Sequence, residues 1–273
     1  MPELPDLEIV AEFLHKQLAG LRIEQAQLLK PIVVRDLTSE GFVLRITGQQ
    51  VQSVSRRGKF LLFSLDEGDW LVIKPMRSGR LRYLSGQERV RGKPFVEWCF
   101  TDGAHLRYED ADTMGKVYLT PSLEQVPTFV DQGPEALDPA LTLEAFTDRL
   151  RRRRGEVKGV LTNQAFLAGI GNAYADEILF RAGVYPFRKV PSLSAQQVRL
   201  VYQAMREVLQ EALDTLRQRV GRDIHIEIRD FLQVHGRGGE PCPRCGTAIS
   251  QVTARRRPTN FCRNCQPGTM LRK

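Results

Sequence analysis

The sequence predicts a multidomain α+β chain. A leading helix comes first, then an antiparallel β-sandwich or barrel, a helical domain and a terminal four-cysteine hairpin. Three observations carry this. Apolar residues recur at helical spacing near the amino terminus, short Val-, Ile- and Phe-rich runs broken by glycine turns follow, and helical periodicity then returns before four cysteines fall within 24 residues. At 273 residues the chain exceeds one ordinary core, and about 150 residues per domain makes two the natural division.

Leu7, Val10, Phe13, Leu14 and Leu18 line one face of an amphipathic helix between Glu3 and Leu18, with Pro5 in its first turn and Gly20 at its end. Strands are predicted at Ile23–Leu29, Phe42–Thr47, Val51–Arg56, Lys59–Leu65, Trp70–Lys74, Arg80–Leu84, Phe95–Thr101 and His105–Tyr108. Cys99, between Trp98 and Phe100, is expected to be a small buried thiol. Residues 121–142, with Pro121, Pro127, Gly133, Pro134 and Pro139, read as a linker between residues 1–120 and a helical domain over 143–235. Helices are predicted at Leu143–Arg153, Gly155–Thr162, Ala173–Ala182 and Ser194–Leu216, with Thr142 and Ser194 as N-caps. The cysteine module occupies 236–273.

Charge narrows the partner. The 40 basic and 32 acidic residues leave a net +8. Up to Gln132 there are 17 basic and 18 acidic residues; beyond it there are 23 and 14. The whole excess lies in the second part, as for a chain that meets a polyanion, most simply nucleic acid. No stretch approaches about 18 uninterrupted apolar residues, so no membrane span is expected. MPELPDLEIV has no basic start followed by an apolar run, which favours a cytoplasmic protein.

Cys242, Cys245, Cys262 and Cys265 form C-x2-C-x16-C-x2-C. Each pair presents two thiolates from a tight knuckle, and four sulfurs complete a tetrahedron around one Zn2+. Four thiolates leave no open position for water, so this zinc is structural. Ile249, Val252 and Phe261 suit a β-hairpin between the pairs, and Arg255, Arg256 and Arg257 make its tip basic. Gly169-Ile-Gly171 joins two helical stretches, where backbone N–H groups can approach a phosphate; Asn172 is a natural N-cap and phosphate donor.

Met1-Pro-Glu-Leu-Pro5, Arg57-Gly-Lys59, Ala168-Gly-Ile-Gly-Asn-Ala-Tyr-Ala-Asp-Glu-Ile-Leu-Phe180 and Gly236-Arg-Gly-Gly-Glu-Pro-Cys242 stand in this order before the finger. With them the chain resembles, over essentially its whole length, the formamidopyrimidine-DNA glycosylase and endonuclease VIII family of base-excision repair. The resemblance implies an N-terminal β-sandwich, a helix–two-turns–helix domain and a zinc finger, with damaged or abasic duplex DNA held between the lobes. It implies a monomer in a bacterial cytoplasm, at the nucleoid. It also implies that Met1 is removed and that the secondary amine of Pro2 attacks C1′ of a flipped nucleotide. An α-amino group titrates near about 8, so a useful neutral fraction exists at pH 7. Displacement of the base leaves a cationic iminium, an electron sink that acidifies the C2′ proton and permits elimination of the 3′ and then the 5′ phosphate. By the same resemblance Glu3 is the general acid and Lys59 assists beside a phosphate, while Lys158, Asn172 and Arg257 hold the phosphodiester.

Several positions depart from the family pattern. Asp6 stands where glutamate is usual. The side chains that fill the gap left by a flipped base are expected to be Arg77 with its neighbour Met76, and Met114 in place of phenylalanine; Thr113 replaces the usual arginine. Residues 220–230 are charged, with alternating Ile, where oxidised-purine enzymes carry a Gly/Ser/Thr-rich loop; a strand or a rigid lid is expected, with His225 or Arg222 able to face a lesion. These departures put the usual lesion in doubt. They leave a non-enzymatic binder of abasic or distorted DNA as the alternative.

Overall fold

The computed structural model describes residues 1–86, 88, 94–254 and 257–268, with the side chains of positions 254 and 257 outside that description. The chain divides into two compact units, Met1–Asp131 with Thr215–Glu227, and Gln132–Asp214 with Ile228–Lys273. Residues 121–142, read as a linker, are shared between them.

The first unit opens with helix α1 (Leu4–Leu18), whose Leu4, Leu7, Leu14 and Leu18 are buried. Among the described residues nine strands follow: β1 (Ile23–Leu28), β2 (Val34–Asp36), β3 (Val51–Arg57), β4 (Phe60–Leu65), β5 (Trp70–Lys74), β6 (Arg80–Leu84), β7 (Val96–Phe100), β8 (His105–Glu109) and β9 (Lys116–Thr120). They form a four-stranded sheet in the order β1-β7-β8-β6 and a five-stranded sheet in the order β2-β9-β5-β4-β3. Pairing is antiparallel except for β2 with β9, which run parallel. Helix α1 packs on β3 and β4, and the Val54 N–H donates to His15 Nδ1 at 3.2 Å.

Two expectations fail here. Phe42–Thr47 is no strand but a short helix, α2 (Phe42–Ile46). Phe42 and Ile46 are buried at i and i+4 while Leu44 between them is 75% exposed, a helical period that a six-residue apolar run conceals. Cys99 is half-buried rather than buried. Alternation along β7 sends Trp98 and Phe100 into the core and Cys99 to the other face, 3.3 Å from His105 Nδ1. Burial still pushes its thiol pKa upward, away from the thiolate form.

The second unit holds α3 (Leu143–Arg151), α4 (Val157–Leu161), α5 (Asn172–Arg181) and most of α6 (Ala195–Arg219). Thr142 Oγ1 accepts the Ala145 N–H at 3.2 Å and caps α3. Ser194 and Gln197 exchange side chain-to-backbone bonds of 3.2 and 3.1 Å, a capping box at the start of α6. The hairpin β10 (Ser250–Ala254) and β11 (Arg257–Phe261) completes the unit.

The helical reading of α2 makes two neighbouring truncations unequal. Ile46→Ala should cost about 2–5 kcal/mol in urea unfolding. Leu44→Ala should stay within about 0.5 kcal/mol. Equal costs would restore the strand.

Candidate active site and metal centre

The amino-terminal end of the chain is shaped by the start of α1. Glu3 is its N-cap, and Glu3 and Asp6 form a reciprocal capping box in which Asp6 Oδ2 accepts the Glu3 N–H at 2.7 Å. The shorter aspartate suits this contact within one turn. Pro2 and Glu3 are both buried. Glu8, one turn further on, is tied to the sheet by Arg56 Nε at 2.6 Å.

Pro2, Asp6 and Leu7 line a pocket with an empty volume of about 470 Å3, part of it open to solvent. Leu61, Leu81, Leu216, Val220, Ile224 and Ile226 make its wall largely apolar, while Arg80 and Glu227 supply charge. Glu227 Oε1 lies 2.9 Å from Arg80 Nη2 and 3.5 Å from the terminal amine of Met1. Arg80 Nη1 in turn donates to the Gly79 carbonyl at 2.7 Å. Residues 220–230 form no strand, contrary to one expectation. Within them Arg222 bonds Ser85 and Glu88, both at 2.9 Å, and burial lowers the pKa of half-buried His225. Glu227 escaped the sequence reading because nothing local to it signals proximity to residue 1.

Lys59 sits in the two-residue turn between β3 and β4, half-buried. Gly58 takes φ 55° there, a conformation that a side chain would strain. Met76 and the exposed Arg77 occupy the loop between β5 and β6; Met114, 47% exposed, occupies the loop between β8 and β9.

In the second unit the glycine turn is held by Gln164, which accepts the Gly169 N–H at 2.9 Å and donates to the Ile170 carbonyl at 2.8 Å. The N-cap of α5 is Gly171, not Asn172. Asn172 is the first helical residue, and its Nδ2 donates to the Pro258 carbonyl at 2.7 Å. Lys158 is buried, with Nζ 2.7 Å from Asp176 Oδ1 and 2.8 Å from Thr259 Oγ1. Asp176 Oδ2 also takes His235 Nδ1 at 2.8 Å and the Asn260 N–H at 3.1 Å. Glu177 accepts the N–H groups of Gln233, Val234 and His235 at 2.9, 2.9 and 2.8 Å. Lys158 and Asn172 thus converge on β11, whose first residue is Arg257. The Arg257 side chain and residues Arg255 and Arg256 lie outside the described residues.

The four sulfurs of Cys242, Cys245, Cys262 and Cys265 lie within 4.8 Å of one another. A tetrahedron with Zn–S near 2.3 Å places sulfurs about 3.8 Å apart. Cys242 to Cys265 is 3.8 Å and Cys245 to Cys262 is 3.5 Å. Hydrogen bonds, first from the Thr247 hydroxyl and then from Asn264, lower the Cys245 thiol pKa to about 5. Burial and the neighbouring sulfurs push Cys262 and Cys265 upward. Four thiolates therefore need a central cation to coexist, and one structural Zn2+ fits this donor set.

Comparison with known proteins gives three family matches in chain order. The N-terminal domain of formamidopyrimidine-DNA glycosylase matches residues 1–117, the H2TH domain of the same family matches 132–222, and the zinc finger found in FPG and IleRS matches 239–268. The formamidopyrimidine-DNA glycosylase of Pelotomaculum thermopropionicum is 35% identical, covering 97% of this chain and 99% of that one. The Geobacillus kaustophilus protein of the same name is 36% identical over 97% of this chain and 100% of its own. The Lactococcus lactis enzyme, in a crystal structure bound to DNA containing an abasic site, superposes with a TM-score of 0.85 at 30% identity, covering 97% of this chain and 100% of that one.

Replacing Cys262 or Cys265 with serine should reduce zinc from one ion per chain to a trace, read by elemental analysis. Acidification should release the ion from the native protein, because protons compete for the thiolates. Full zinc retention in both variants would contradict the four-thiolate centre.

Proposed function

This chain belongs to the formamidopyrimidine-DNA glycosylase family, and from that premise we propose that its buried amino terminus is the reactive centre. The protein is a DNA glycosylase of base-excision repair with abasic-site lyase activity, acting on damaged or abasic DNA. One observation supports the assignment of chemistry most: Pro2 lines the pocket beside a capping box that fixes Glu3 and Asp6.

With Met1 removed, the Pro2 nitrogen forms a bond to C1′ of the extruded nucleotide as the bond from C1′ to the base breaks. The amine proton passes to the departing base, which leaves neutral; Glu3 delivers a proton to the sugar ring oxygen, the ring opens, and the freed nitrogen lone pair completes a cationic iminium. The iminium draws electrons from the C2′–H bond; a base takes that proton and the 3′ phosphate leaves, followed by the 5′ phosphate. Lys59, at the turn of its hairpin, assists beside the phosphate. Lys158, Asn172 and Arg257 are assigned to the phosphodiester, and Met76, Arg77 and Met114 to the space vacated by the flipped base. The internal bonds of Lys158 and Asn172 would then present β11 to the backbone rather than leave two mobile side chains. The zinc takes no part in a chemical step.

The bacterial origin of the relatives supports a site of action on chromosomal DNA in a bacterial cytoplasm.

Pro2→Gly and Glu3→Gln should each lower abasic-strand cleavage by about a hundredfold or more while duplex binding persists. Binding should weaken steeply with added salt. Loss of binding in step with cleavage would make both residues structural. Binding of abasic duplex by the wild-type chain without cleavage would favour a non-enzymatic protein.

A further inference from the structure

Two loops cross between the sheets side by side. Residues 75–79 connect β5 to β6, and residues 110–115 connect β8 to β9. Their ends are paired, Lys74 with Lys116 and Arg80 with Glu109. Each loop carries one non-glycine residue in the left-handed region, Met76 at φ 54° and Thr113 at φ 55°. Such conformations persist only where the surroundings enforce them.

Between the two loops lies the carboxylate of Asp110, which is 2% exposed and does not line the pocket. Its Oδ1 accepts the Ser78 hydroxyl at 2.5 Å. Its Oδ2 accepts the Gly115 N–H at 2.7 Å and the Tyr108 hydroxyl at 3.3 Å. Burial raises the Tyr108 phenol pKa, so it remains a donor. Ser78 Oγ, having donated to Asp110, accepts the Asp112 N–H at 2.8 Å. A second link lies outside, where Arg77 Nε is 3.4 Å from Asp112 Oδ2. At Gly115 a Cβ would stand 1.8 Å from the Tyr108 hydroxyl oxygen, so only glycine admits this closure. Buried bonds inside and exposed Arg77 and Met114 outside make the two loops a single part with a fixed tip.

We propose that Asp110 is a positioning residue, with Ser78 as its partner, that preassembles the two loops into one wedge for opening the base stack. The proposal rests on the reading of Met76, Arg77 and Met114 as the side chains that enter the vacated space. A loop pair already ordered before DNA arrives loses less conformational freedom on insertion than two independent loops. Asp110 touches no reacting atom in this scheme. Its effect is confined to substrates whose nucleotide must be extracted from a duplex, because a single strand has no partner stack to hold open.

The test compares single-turnover borohydride trapping on abasic DNA, duplex against single strand, for the full chain and four variants. Asp110→Asn and Ser78→Ala should lower the duplex rate by about tenfold or more. They should leave the single-strand rate within about twofold. Ser78→Thr, which keeps the hydroxyl, should restore the duplex rate. Met114→Ala should also lose duplex rate. If it does lose it while Asp110→Asn and Ser78→Ala keep theirs, the wedge stands and the clamp is overturned. Equal losses on both substrates would reduce Asp110 and Ser78 to general supports and overturn the proposal. An unaffected duplex rate in Met114→Ala would overturn the wedge reading and the proposal with it.

Discussion

The hydrogen bond from the Glu3 N–H to Asp6 does what a chain terminus seldom allows: it ties the first residues into a buried, capped helix start. Ends fray because nothing satisfies their backbone groups and because freedom there costs little to keep. Here the helix begins at residue 4, its apolar face is buried at Leu4 and Leu7, and His15 and Glu8 fasten its body to β3. The nucleophile proposed at Pro2 thereby acquires a fixed address. The chemistry assigned to Pro2 needs that address, since a bond to C1′ forms only from a narrow range of positions.

The second unit solves a related problem with buried charge. Asp176 and Glu177 are adjacent on α5 and nearly inaccessible, and each collects several donors from segments distant in sequence. A buried carboxylate is costly unless its acceptor positions are filled, so these two enforce one arrangement of the finger on the helices. Lys158 neutralises one of them. The zinc extends the same logic: four sulfurs that would repel as anions are held by one cation, and Cys242 and Cys262 join Phe180, Val234 and Ile249 in a small apolar core.

Local signals were legible and long-range ones were not. The opening helix, seven of the eight predicted strands, the caps at Thr142 and Ser194 and the cysteine spacing all depend on neighbours within a few positions. The Phe42–Ile46 segment was misread because six apolar-rich residues fit either period, and β2, three residues long, is too short to show one. Pro2 and Glu3 drew attention only through the motif they share with a family; alone they are what a helix start accepts. Asp110 and Glu227 gave no signal at all. Their meaning lies in partners 32 and 147 residues away, Ser78 and Arg80, which composition and periodicity cannot report.

The central claim is that a secondary amine at position 2 carries the covalent step. Peptide mass spectrometry of the adduct reduced by borohydride on abasic DNA tests it most directly. The account predicts the deoxyribose remnant on the nitrogen of an N-terminal peptide that begins at Pro2. A remnant on the ε-amine of Lys59 or another lysine, with the terminal peptide unmodified, would contradict it.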